Sequence, residues 1–148
     1  MTREELAILV VGTPAPQGSK RHVGNGVMVE SSAKVKPWRQ DVKAAALDAI
    51  AEAGWEPATG PVSLNITFRL SRPRSHYGTG RNAGHIKSSA PVWVDKRPDL
   101  SKLVRSTEDA LTEAGVWRDD ARVARLVVRK VYAEVEPVGA QIVVETLA

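Results

Sequence analysis

Between Pro98 and Gly115 the chain reads DLSKLVRSTEDALTEA, with apolar side chains returning at helical period. With Leu100 at zero on a wheel that advances about 100° per residue, Leu103, Val104, Thr107, Ala110, Leu111 and Ala114 fall within about 80° of it. Such a stripe is stable only against other apolar surface, so the chain must fold in layers, with this helix laid on a sheet or a second helix. Ser101, Arg105, Glu108 and Thr112 make a second stripe at roughly 80–140°, bordering the core face. Lys102, Ser106, Asp109 and Glu113 are expected to face solvent. Acids stand at both ends of the helix: Asp99 precedes its first turn, and Asp119 and Asp120 follow Gly115 in the run GVWRDD.

Other segments supply the layers. Residues 62–70 (VSLNITFRL) alternate apolar and polar, which predicts a strand with one wet face. Residues 6–12 (LAILVVG) form a short apolar run ended by Thr-Pro, read as a buried strand. Residues 23–31, with Gly24, Asn25 and Gly26, read as a turn and a short extended piece. Helix formers dominate 36–53, where Trp38, Val42, Ala45, Ala46, Ala49 and Ile50 share a stripe between Pro37 and Gly54. Residues 123–135 and 140–147 are β-rich and are separated by a turn. The length of 148 residues suits one domain with a substantial core. The expected fold is α/β of the α+β type: a single domain over residues 1–148, with a mixed sheet of about four to five strands and two main helices.

Residues 71–98 show no sustained period and read as a long, structureless basic loop, a kind of connection that is usually functional or disordered. Arg72, Arg74, Arg81, Lys87, Lys96 and Arg97 outnumber its one acid, Asp95, and Tyr77 and Trp93 are placed to stack on exposed bases. A second basic loop carries Lys20 and Arg21 beside Gly18, where backbone and cations can approach a phosphate, though a plain solvated loop explains this segment at least as well; a mobile solvated loop is the alternative reading of 71–98. The whole chain has 21 Lys and Arg against 17 Asp and Glu, a moderate excess that suits a polyanionic partner. No cysteine is present, which excludes disulfides, thiolate metal sites and a Cys nucleophile. No apolar run approaches the roughly 20 residues that span a bilayer, so a soluble, cytoplasmic protein without membrane contact is expected.

Carboxylates gathered in a basic chain call for a reason. Asp99 alone is explained as a helix N-cap, and Asp119-Asp120 as a turn feeding a strand. Together they are hard oxygen ligands of the kind that suit Mg²⁺, which takes one or two carboxylates and keeps waters for a substrate phosphate. The run RPDLSKLVRSTEDALTEAGVWRDDARV closely resembles the signature of the RusA-like family of Holliday junction resolvases. That pattern has a basic residue, Asp-x-Asp, a basic residue four positions further on, Asp-Ala-Leu, and a turn ending Asp-Asp before a strand.

The resemblance implies a homodimeric, Mg²⁺-dependent endodeoxyribonuclease, with Mn²⁺ as a substitute ion, that cuts four-way DNA junctions by paired incisions. It also points to a phage or prophage origin. By position it assigns Asp99 and Asp120, with Asp119 beside them, to the metal. The second acid of the pattern falls on Ser101, which brings no charge, and the basic position falls on Arg105. Glu108, two turns from Ser101 on the same stripe, is either a substitute acid or an ion-pair partner of Arg105. DNA contacts are expected from Lys20, Arg21, Arg72, Arg74, Lys96, Arg97 and Lys102. A junction-binding protein weakened or inactivated at Ser101, and a Mg²⁺ nuclease of flaps or single strands, fit the same residues.

Overall fold

The alternating run becomes the middle of a sheet. In the computed structural model, β4 (Val62–Leu70) lies between β6 (Gly139–Thr146), to which it is antiparallel, and β5 (Val123–Tyr132), to which it is parallel. β1 (Glu5–Val11) pairs antiparallel with β6, giving the order β1-β6-β4-β5. A parallel pair needs a crossover, and the segment from 71 through the second helix supplies it. The structure describes residues 3–18 and 33–148, and between them the backbone of two short strands, β2 (Lys20–His22) and β3 (Met28–Glu30), which form their own ladder. Lys20 and Arg21 therefore lie on a strand, but their side chains, and the turn at Gly24, Asn25 and Gly26, are outside the described residues.

Two helices cover one face of the sheet, against Leu64, Ile66 and Phe68 of β4 and Ile142 and Val144 of β6, all fully buried. Helix α1 (Val35–Ala53) buries Trp38, Val42 and Ala46 and ends at Gly54, whose φ of 64° is the left-handed cap that glycine adopts without strain. Helix α2 (Leu100–Ala114) buries the expected stripe, and the Trp38 indole donates a 3.1 Å hydrogen bond to Thr107 Oγ1 that joins the helices. The fold is the expected mixed α+β domain, with four strands in the main sheet. Among the described residues no helix is long and apolar enough to cross a membrane.

Three expectations change. Ser106 is fully buried rather than solvent-facing, because the segment after β1 crosses that flank: Ser106 Oγ donates to Ala15 O at 2.7 Å, and Gln17 N to Lys102 O at 3.0 Å. The second face of β4 is only partly wet: Ser63 is buried and Asn65, Thr67 and Arg69 are half-buried. The connection at 71–98 is not without local structure. It holds single 3₁₀ turns at Arg74–His76 and Gly80–Asn82 and lays Trp93 beside Val131 on the edge of β5.

The anchor of this loop is Arg72. Its side chain is 1% exposed, donates 2.7 Å hydrogen bonds to Glu134 Oε1 and Pro91 O, and stacks 5.1 Å from the Tyr132 ring centroid. A guanidinium so engaged is withdrawn from phosphate contact, which removes Arg72 from the expected DNA-binding set. The Arg72→Met variant is expected to lose about 1.5–3 kcal/mol of local stability, typical of a hydrogen bond to a charged group. Faster limited proteolysis within 71–98, with the core strands still protected, is the corresponding measurement.

Candidate active site

Asp120 is placed by a buried scaffold. Gly115, at φ 86°, ends α2, and the chain turns under Trp117, which is 1% exposed and donates from Nε1 to Thr112 Oγ1 at 2.8 Å. The Trp55 indole holds Val116 O at 2.9 Å, and Ala58 bonds to Val116 and Arg118 through its backbone. The two adjacent acids then part company. Asp119 Oδ1 accepts from Ala121 N at 2.8 Å and caps the short turn Asp120–Arg122, which gives that oxygen a structural role. Asp120 points into a cleft.

That cleft, of about 570 Å³, lies between α2 and the helix-side face of β5, and Leu100, Ser101, Val104, Arg105, Glu108, Asp109, Asp120, Leu126 and Val128 line it. It takes up half the circumference of α2, which is why Asp109, expected in solvent, also faces it. The half-buried Glu108 has its carboxyl pushed above the usual range by burial first, then by Asp120 and Asp109. No ion pair joins Glu108 to Arg105, or engages Arg105 at all, among the described residues. The cleft thus holds mutually repelling carboxylates and a cation without an ion-pair partner.

Asp99 stands on the other side of the first turn of α2. It occupies the N-cap position but makes no side-chain cap, and its nearest cation is Lys102 at 3.8 Å. It lines a separate, larger cleft of about 950 Å³ together with Lys34, Lys96, Arg97 and Lys102. Arg74 is exposed on its 3₁₀ turn and lines neither cleft. A residue not singled out in the sequence holds the approach to Asp99: Lys130 Nζ donates to Lys96 O at 2.6 Å and to Pro98 O at 2.7 Å. It breaks the apolar alternation on the inner face of β5, the only signal the sequence offers for it.

The donor chemistry fits a hard divalent cation. Ser101, Glu108 and Asp120 offer oxygen to one space, and the repulsion that raises Glu108 is what a cation would relieve. No three carboxylate or imidazole side chains converge to coordinating positions among the described residues, so water must complete any such sphere. Carboxylates, a hydroxyl and an available guanidinium thus share one cleft, with lysines and an arginine in the next. The family model described as Endodeoxyribonuclease RusA matches residues 11–145, nearly the whole chain, and the chain belongs to that family. It is accordingly an endodeoxyribonuclease, of a family that resolves Holliday junctions and is typically metal-dependent. No curated protein matches it.

Proposed function

We propose that this nuclease resolves four-way DNA junctions as a homodimer with Mg²⁺, by one incision per protomer. The observation that carries the reading is the shared cleft of Asp120, Glu108, Ser101 and Arg105 beside the basic cleft headed by Asp99. Asp120 and Ser101 would hold the ion directly, and Glu108 through water, with Asp99 acting on the same ion only through water from the neighbouring cleft. Bound there, Mg²⁺ lowers the pKa of its water and offsets charge that develops on the phosphate. Arg105 keeps its proton at any working pH, so its part is electrostatic: it binds the scissile phosphate and stabilises the added charge of the transition state. Lys96, Arg97 and Lys102 hold the phosphates of the adjoining arm.

Cleavage of a labelled four-way junction, a flap and a linear duplex, each with Mg²⁺ and with chelator, tests the reading. Symmetric paired nicks confined to the junction are expected. Monomers at micromolar concentration would count against it, and tight junction binding with no nicking in Mg²⁺ or Mn²⁺ would mean that Ser101 has cost the chain its catalysis.

Glu108→Gln separates the two effects of that acid. A carboxyl with a raised folded pKa favours the fold below its unfolded pKa and opposes it as pH rises through the folded value. Once pH exceeds the ordinary glutamate range the metal-free variant is therefore expected to melt higher than wild type, while its cleavage falls about tenfold, as for other supporting groups around a metal. Full activity in the variant would remove Glu108 from the site.

A further inference from the structure

The sheet face turned away from the helices carries a third charged groove. It has a volume of about 390 Å³ and is lined by Thr67, Arg69, Trp93, Arg129, Val131, Gln141 and Val143. Strand register sets six of these side chains in two rows, with Val143 one step beyond them. Trp93, Val131 and Arg69 lie side by side, and Arg129, Thr67 and Gln141 form the row beneath. Gly139 sits opposite Arg69 and adds no side chain to the upper row.

Both guanidiniums are fixed by neutral acceptors. Arg69 donates to Gln141 Oε1 at 2.9 Å, and Arg129 Nε donates to Thr67 Oγ1 at 2.8 Å. Neither is in an ion pair among the described residues, and no carboxylate lines the groove. Two held arginines without counter-charge form a site for consecutive anions. Trp93 is 62% exposed, whereas Trp38, Trp55 and Trp117 are all buried. An exposed indole beside ordered cations is the combination that binds single strands, because bases are free to stack only when unpaired. A second copy of the chain suits the groove less well, since a two-fold contact centred on it would bring Arg69 and Arg129 against their own counterparts.

We propose that this outer groove binds single-stranded DNA, with phosphates on Arg69 and Arg129 and a base on Trp93. The inference rests on the nuclease reading and extends it. The groove and the α2–β5 cleft lie on opposite faces of β5, so a strand unpaired near the cut can pass from one to the other around the part of that edge before Lys130, which the pairing of Val92 and Val94 leaves uncovered.

The probe is a short oligothymidylate titrated into the full chain while tryptophan fluorescence is recorded. Wild type is expected to show saturable quenching, absent in Trp93→Ala, whose remaining indoles are buried. Arg69→Gln/Arg129→Gln is expected to bind about tenfold more weakly, and its salt dependence should flatten by about 1.4 in log–log slope, about 0.7 for each single-strand phosphate that is no longer neutralised. Arg69→Lys/Arg129→Lys should recover much of the slope, which a merely structural role would not allow. No quenching in wild type, or an unchanged slope in the Gln variant, overturns the groove. A shift of the Gln variant from dimer to monomer does so too, by showing the face to be an interface between copies. Failure of wild type itself to cut any junction would instead reject the nuclease reading on which the groove rests.

Discussion

Asp120→Asn is expected to lower junction cleavage by about 10²–10³-fold, the usual loss when one group that stabilises the transition state is removed, with junction affinity nearly unchanged. The side chain is exposed and Asn has the same shape, so the fold loses no packing. Removing one of the charges that repel Glu108 should even raise the melting temperature of the metal-free chain. Single-turnover cleavage, set beside a band-shift in chelator, separates chemistry from binding. Asp119→Asn is the matched control: asparagine caps as well as aspartate, so the turn should persist and cleavage should stay near wild type. Comparable losses in both variants would mean that the turn matters and the Asp120 carboxylate does not.

The control makes sense only because the two acids have separate surroundings, and nothing in the sequence separates them. Asp119 and Asp120 are adjacent and chemically identical; the cap that engages one depends on backbone angles set by buried Trp117 and Trp55. Helix α2 is legible because burial on one side imposes a 3.6-residue period that composition cannot hide. The wheel fails at Ser106 and Asp109 for one physical reason. It assumes solvent wherever the core is not, whereas the segment after β1 crosses one flank and a cleft opens on the other. Arg72 reads as a DNA contact because loop cations usually are solvated, and its partners Glu134 and Tyr132 lie some sixty residues away, where no local pattern reaches. Glu108 falls near the acids in sequence and structure alike because its stripe follows from helix geometry alone. The division of Asp99 and Asp120 between two clefts is not legible, since it turns on which side of the first turn of α2 each carboxylate falls.

Ser101→Asp carries the sharpest consequence of that geometry. Ser101 is exposed, lines the cleft with Asp120 and Glu108, and stands one helical turn before Arg105, so a carboxylate there needs no repacking. Ligand charge is a main determinant of affinity for hard divalent cations, and the Mg²⁺ concentration for half-maximal cleavage is expected to fall by about 10–100-fold. The same charge should destabilise the metal-free chain, because it joins carboxylates that already repel one another. Melting in chelator should drop below wild type and recover on adding Mg²⁺, by about 2.7 kcal/mol when the ion is at a hundred times its dissociation constant. Gain of affinity and loss of metal-free stability must appear together, since both come from one added charge in one cleft. A variant that melts lower in chelator but gains nothing with Mg²⁺ would put the ion elsewhere, on the Asp99 side of α2, and would leave the α2–β5 cleft to hold the phosphate alone.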